Sequence, residues 1–471
     1  MEDLPRGWTE ASIEELAGSD GLMTDGDWIE SKDQNPNGEV RLIQLADVGD
    51  GVFQNRSSRF LTAETAERLR CTYLQKGDLL IARMPDPLGR ACLFPGLKQP
   101  CVTAVDVCIW RAGVGAADPR WLMHVINSPE VRDRIQVQAS GTTRQRISGG
   151  NLKRLVLSVP PLAEQRRIVA RIEALFARTR RARAELGRTR ALASHLLERS
   201  RASIFSNVTS SEKVGGQRFA DLPPYTPPMR FEGLPDLPPG WRWVQMDAIA
   251  QVAGGLTKNK ERNSLATRMP YLRVANVYAD ELKLEEVATI GVTNAERERV
   301  SLRAGDLLVV EGNGSLDQIG RVAVWAGGVE GCGHQNHLIR VRPLGGVPSR
   351  WLLHWLMSPY GRAVLEAAAS SSSGLHTLSL SKIASLPVPL PSSSDEAEAV
   401  IEAVDAALAR GQRAEAEATR ALTLLDRLDA AILARAFRGE LVPQDPADEP
   451  ARLPSLPTAT RARRSRAAPP A

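Results

Sequence analysis

The stretch LVLSVPPLAEQRRIV, residues 155–169, decides the fold of this chain. A short apolar strand stops at Pro160 and Pro161, which cannot donate to a sheet ladder, and Leu162 onward is rich in helix formers with Glu164 in the first turn. The chain makes the same move again at residues 386–401, LPVPLPSSSDEAEAVI, although this second junction lacks the Pro-Pro pair and the Glu-Gln of the first. A protein with two such junctions is built from two copies of one plan.

Sliding the chain over itself by roughly 230 residues bears on that plan directly. LPRGW (4–8) aligns with LPPGW (237–241), LIQLADV (42–48) with LRVANV (272–277), and KGDLLIAR (76–83) with AGDLLVVE (304–311). GRACLFPG (89–96) aligns with GRVAVWAG (320–327), and RWLMHVINSP (120–129) with RWLLHWLMSP (350–359). Each copy reads as a mixed domain of roughly 150 residues: short strands (LLIAR, RACLF, VCIW; LLVVE, RVAVW, LIRV), a helix beginning at the Arg-Trp, and the proline strand that closes it.

A long helix follows each copy. In 162–205, apolar or small residues recur at Ile168, Ile172, Leu175, Thr179, Ala182, Leu186, Thr189, Ala193, Leu196 and Ser200, alternating steps of four and three, which is a heptad seam. A shift of 232 gives Val404, Ala407, Gly411, Ala414, Ala418, Ala421, Leu425, Leu428 and Ile432. The small middle of the second seam lets two axes approach closely, and at 1.5 Å per residue each helix is about 66 Å long. Residues 162–205 carry eleven Arg against four acidic residues, and 395–438 carry nine acidic against six Arg, so pairing offsets part of both charges. Packing of each helix on its own domain alone would leave much of this length uncovered. The expected fold class is mixed α/β (α+β), with two domains alternating with two long helices that pair as an antiparallel coiled coil.

Bulk properties agree with a multidomain globular protein: 471 residues, 43% hydrophobic, with no run of eighteen apolar residues and no signal-peptide pattern at MEDLPRGW. A cytoplasmic location is expected. Cys71, Cys92, Cys101, Cys108 and Cys332 show no Cys-x-x-Cys spacing and read as buried thiols. A net charge of +5 permits a nucleic-acid partner without requiring one.

The segment PPLAEQRRIV, Pro160 to Val169, and the C-terminal ILARAFRGELV, Ile432 to Val442, resemble the specificity subunits of type I restriction-modification systems, and the resemblance covers almost the whole chain. It implies two target recognition domains, each reading half of a split DNA site, joined by an antiparallel coiled coil that also holds two methyltransferase subunits; restriction-translocase subunits complete such a complex. The corresponding boundaries are 1–160 and 237–391 for the recognition domains, 161–206 and 392–440 for the helices, 207–236 for a Pro-rich linker, and 441–471 for a disordered basic tail containing RARRSR (461–466). S-adenosylmethionine, ATP and magnesium are expected on the partner subunits, with no cofactor bound by this chain.

Enzyme signatures are incomplete. The nearest approach to an adenine-methyltransferase motif, DLPPYTPP at 221–228, has Leu222 where Asp, Asn or Ser is needed before the Pro-Pro-aromatic. DELK (280–283) offers a nuclease-like Glu-x-Lys without an upstream acidic partner, and CGHQNH (332–337) places its two histidines on opposite faces of a strand. No P-loop occurs. DNA contact suits the polar loops better. SGTTRQRIS at 140–148 offers Thr142, Thr143, Arg144, Gln145 and Arg146, residue types that reach phosphates or pair with guanine and adenine edges. Its second copy, SSSSGLHTLS, contributes His376; Lys258, Asn259 and Lys260, with Arg83 and Arg90, complete the candidates. For each, a solvated loop charge is the competing reading. The competing functions are a stand-alone sequence-specific DNA-binding regulator, an endonuclease acting alone, and a coiled-coil adaptor without DNA affinity. The expected function is a non-catalytic DNA-specificity subunit.

Overall fold

The computed structural model describes residues 4–85, 87–141, 145–206, 219, 222, 225–313, 318–372 and 375–451. The chain forms two compact units, Met1–Glu185 with Arg420–Ala471, and Leu186–Thr419. Both divisions fall inside the long helices, Leu162–Ser206 and Ser394–Phe437.

In the first unit a four-stranded antiparallel sheet runs in the order Leu22–Asp25, Val107–Arg111, Leu79–Ala82, Ala91–Leu93. The apolar run Leu79–Ala82 is buried on both faces and takes the middle, pairing Leu80 with both Ile109 and Cys92. A three-stranded sheet sets Val40–Ile43 between Arg59–Leu61 and Cys101–Thr103, the last pairing parallel. The opening strand Thr9–Ser12 returns to the proline strand Val156–Val159, Thr9 opposite Val159. Pro119–Ile126, capped by Asp118, buries Trp121, Leu122 and Ile126 in the core.

The second unit repeats this topology. Its four-stranded sheet runs Ala250–Gly254, Leu338–Pro343, Leu307–Val310, Val322–Val324, and its three-stranded sheet again holds one parallel pairing, Arg268–Leu272 with Gly333–His334. Arg242–Gln245 pairs with Pro387–Leu390. The copy adds a small sheet ordered Gly312–Asn313, Leu375–Thr377, Ser370–Ser372. Segment 207–236 is more than a linker where it is described: Phe219 and Phe231 are buried in this unit's core, and the Tyr225 hydroxyl donates to the Ser385 carbonyl at 3.1 Å.

The junctions explain how each helix is launched. The Trp8 indole N–H donates to the Glu164 carboxylate at 3.1 Å, and Trp241 donates to Glu396 at 2.8 Å. Glu396 thus does in the second copy what Glu164 does in the first, although the sequence there showed no Glu-Gln. What the second copy loses is Gln165, whose carbonyl oxygen accepts from the Asp118 N–H (2.8 Å) and whose amide donates to the Pro160 carbonyl (2.9 Å); Ala397 fills that place.

Within the first unit, Ile168, Val169 and Ile172 share a core with Ile432, Leu433 and Ala436, and Arg183 bridges Asp426 and Asp429 at 2.6 and 2.7 Å. Within the second, Ile204 and Phe205 share a core with Ile401, Val404 and Leu408. Ala418 is buried; Leu175, Leu186, Ala414 and Leu425 are half-buried. Two expected seam residues depart. Leu196 and Leu428 are exposed, at 58% and 48%. Leu196 lies along a groove of about 390 Å³ whose other wall offers only Ala407, Arg410, Gly411 and Ala414, with no large apolar side chain to cover it. Leu428 lies in sequence between Asp426 and Asp429, both of which pair with Arg183.

Residues 441–451, expected within a disordered tail, lie against the first unit: Leu441 and Val442 pack on its core, and Arg167 holds Asp448 through two hydrogen bonds of 3.0 and 2.6 Å. RARRSR lies outside the described residues. Cys92, Cys101, Cys108 and Cys332 are buried, whereas Cys71 is half-buried; burial pushes the Cys71 thiol up to about 12.

Candidate nucleic-acid interface

Both units present the same structural edge, built where the central strand of the main sheet ends. In the first unit this strand ends at Ala82, and the Arg83 N–H donates to the Asp106 carbonyl at 2.9 Å. The pre-junction loop is tied to it by the Ile147 N–H donating to the Arg83 carbonyl at 3.1 Å. In the second unit the Glu311 N–H donates to the His337 carbonyl at 3.0 Å, and the Leu378 N–H to the Glu311 carbonyl at 2.7 Å. Arg83 therefore corresponds to Glu311, Asp106 to His337, and Gln145 to His376.

The side chains at this edge differ sharply. Arg83 is buried, ion-paired with Asp25 at 2.5 Å and donating to the Ile147 and Val105 carbonyls at 3.1 and 3.2 Å. Arg90 is buried too, with its guanidinium on the carbonyls of Val48 (2.6 Å), Leu45 (2.8 Å) and Pro87 (3.0 Å). Both guanidinium groups are buried and engaged inside the fold, with carbonyls and, for Arg83, the Asp25 carboxylate, instead of facing solvent. Arg146 is half-buried and ion-paired with Asp106 at 3.1 Å, closing the loop through Ser140. Gln145 is exposed and accepts from the Gln136 amide. Thr142, Thr143 and Arg144 lie outside the described residues.

In the second unit the candidates gather. The bridge from Leu256 to Gln335, with the Asn336 N–H donating to the Leu256 carbonyl at 2.9 Å, brings the loop carrying exposed Lys258, Asn259 and Lys260 beside His337. That loop is braced: the Asn259 side chain accepts from the Arg262 N–H at 3.1 Å, and Arg262 grips Glu296 at 2.8 and 3.2 Å. The Arg262 guanidinium and the Thr293 N–H hold the Glu296 carboxyl down to about 2, so it stays charged at neutral pH. Half-buried His376 sits on Leu375–Thr377 opposite Asn313.

The remaining sequence motifs separate. His334 is buried, with Nδ1 on the Leu338 carbonyl at 2.8 Å, and burial pushes it down to about 4. His337 is exposed and Cys332 faces the interior, so the three do not converge, and among the described residues no three His, Cys, Asp or Glu side chains are grouped as metal ligands. Asp280 of DELK is ion-paired with Arg201 and Arg350 at 3.4 and 3.7 Å, and Lys283 lies over the Tyr278 ring.

One conspicuous residue lies outside the sequence candidates. Trp28 is 69% exposed, in the first unit's counterpart of the Lys258 loop, just after the Asp27–Ala104 bridge. Its indole N–H donates to Glu30 at 3.2 Å, which fixes the ring while leaving its faces open. The available signal was a lone aromatic in the polar run DGDWIESKD.

Residues 5–186 match a family model described as the type I restriction modification DNA specificity domain. The chain is 26% identical over 334 residues to the StySPI specificity subunit of a Salmonella potsdam type I restriction enzyme, covering 70% of this chain and 67% of that one. It is 24% identical over 355 residues to the EcoKI specificity subunit of Escherichia coli K12, covering 73% and 71%. Its fold is similar to a chain from a structure described as underlying complex assembly and conformational transition of the type I R-M system, with a TM-score of 0.69, 20% identity, and 93% and 100% coverage. It also resembles the HsdS subunit of Thermoanaerobacter tengcongensis, with a TM-score of 0.56, 21% identity, and 93% and 98% coverage.

Proposed function

We propose that the chain is a specificity subunit of a type I restriction-modification system, in which each compact unit reads one half of a bipartite duplex while the long helices carry the partners that act on it. The observation that carries this reading is the duplicated edge. One backbone frame recurs in both units, with Arg83, Asp106 and Gln145 in one and Glu311, His337 and His376 in the other. A scaffold kept constant while the side chains on it change, exposed Gln145 in one copy and exposed His337 in the other among them, suits two different half-sites, because base edges are told apart by donor and acceptor pattern.

The partners are methyltransferase and restriction-translocase subunits. The helices favour two methyltransferase copies, since the exposed pair Leu192 and Leu196 recurs, at a shift of 232, as the exposed pair Leu424 and Leu428. S-adenosylmethionine, ATP and magnesium belong to those partners, the chain itself catalyses nothing, and it works in the cytoplasm. Among the described residues no helix is long and apolar enough to cross a membrane.

Incubating the purified chain with duplex DNA, magnesium, ATP and S-adenosylmethionine is expected to give neither cleavage nor methyl transfer, while randomised duplexes retained by it are enriched in two short blocks separated by an unread gap. Turnover that persists through further purification, or retention without any enriched sequence, contradicts the reading.

A further inference from the structure

We propose that His337, positioned by Glu311, is a base-reading residue of the second unit, and that it accepts a hydrogen bond from an exocyclic amino group in the major groove. This rests on the reading of each unit as a half-site reader.

The backbone of Glu311 is pinned on both sides, donating to the His337 carbonyl and accepting from Leu378, and its carboxylate meets the His337 Nδ1 at 2.8 Å. The His337 side chain is nonetheless 57% exposed. A neutral imidazole whose Nδ1–H is committed to a carboxylate has its tautomer and ring direction fixed, and presents Nε2 as an acceptor. Adenine N6 and cytosine N4 are the amino donors that the major groove offers to such an atom.

The setting fits a nucleic acid. The exposed cations Lys258 and Lys260 stand on the neighbouring loop, suited to phosphates on either side of the base being read. The comparison between units argues against a purely architectural role for the pair. At the same backbone positions the first unit carries Arg83 and Asp106, which are engaged with Asp25 and Arg146 and close the edge with ion pairs. Backbone hydrogen bonds common to both copies hold the frame, whichever side chains stand on it. That leaves an oriented, exposed imidazole at the end of the central strand.

The test is selection of the full-length chain against duplexes randomised at every position, comparing wild type with His337→Ala, Glu311→Ala and Glu311→Gln. His337→Ala is expected to lose about tenfold or more of the preference for one base at one position of one block, in line with the worth of a good base contact. Glu311→Ala should lose the same preference without touching DNA itself. Glu311→Gln should retain most of it, because an amide oxygen still accepts the Nδ1–H. Whether the lost base is adenine or cytosine identifies the amino group. Retention of the other block in the same selection shows that the variants are folded. If His337→Ala selects the same bases as wild type while wild type still yields two blocks, this proposal is wrong and the half-site reading stands. If wild type yields no blocks at all, both fall.

Discussion

Replacing Leu192 and Leu196 with lysine is expected to strip one methyltransferase copy from the assembled complex, and replacing Leu424 and Leu428 is expected to strip the other. Each pair stands four residues apart on one helix face, with Leu192 64% and Leu424 60% exposed, and the two pairs are related by the internal repeat. Exposed leucines scattered singly need no explanation, and the expectation rests on finding two pairs at repeat-equivalent positions. Covering a leucine contributes about 1.5–3 kcal/mol, so losing two weakens docking by roughly 3–6 kcal/mol, on the order of a hundred- to ten-thousandfold in Kd. Light-scattering mass of the co-purified complex reads the outcome: one copy for either double variant and none for the quadruple variant. A quadruple variant that still retains two copies removes these faces from the interface.

The second large effect concerns spacing. Inserting seven residues between Glu185 and Leu186, and seven more between Thr419 and Arg420, keeps the heptad phase in both helices at the positions where the two compact units divide. Such an insertion adds about 10 Å of helix, close to three base pairs at about 3.4 Å each, so the unread gap should lengthen by about three while both blocks keep their sequences. Lengthening one helix alone should instead destabilise the protein, because knobs lose their holes. An active doubly extended enzyme with an unchanged gap would leave the helices as docking surfaces without a role in spacing.

The duplication, the proline strands and the long helices were legible because each has a local cause: proline ends a ladder, the heptad period needs a facing helix, and a repeat shows as self-similarity. The side-chain roles at the edge were not. Arg83 and Arg90 flank a turn, ARMPDPLGR, and read as loop cations, yet their partners Asp25, Val48 and Ile147 come from segments remote in sequence. Leu196 and Leu428 keep the heptad phase yet stand exposed, Leu196 along a groove walled by small residues and Arg410, which periodicity alone does not reveal. Glu396 was hidden in a serine-rich junction whose resemblance to the first appears once Trp241 is seen donating to it. His337 reads in the sequence only as half of a histidine pair in CGHQNH, and its contact with Glu311 lies in a comparison of equivalent backbone positions, which alternation and propensity do not reveal.

The central claim is that each unit reads its own half of one bipartite site. A genome-wide map of methylated adenines, in strains carrying the complete system with the wild-type chain, Gln145→Ala or His337→Ala, tests it most directly. Two short blocks around an unread gap are expected for wild type, with Gln145→Ala relaxing only one block and His337→Ala only the other. A contiguous motif, or both substitutions relaxing the same block, would contradict it.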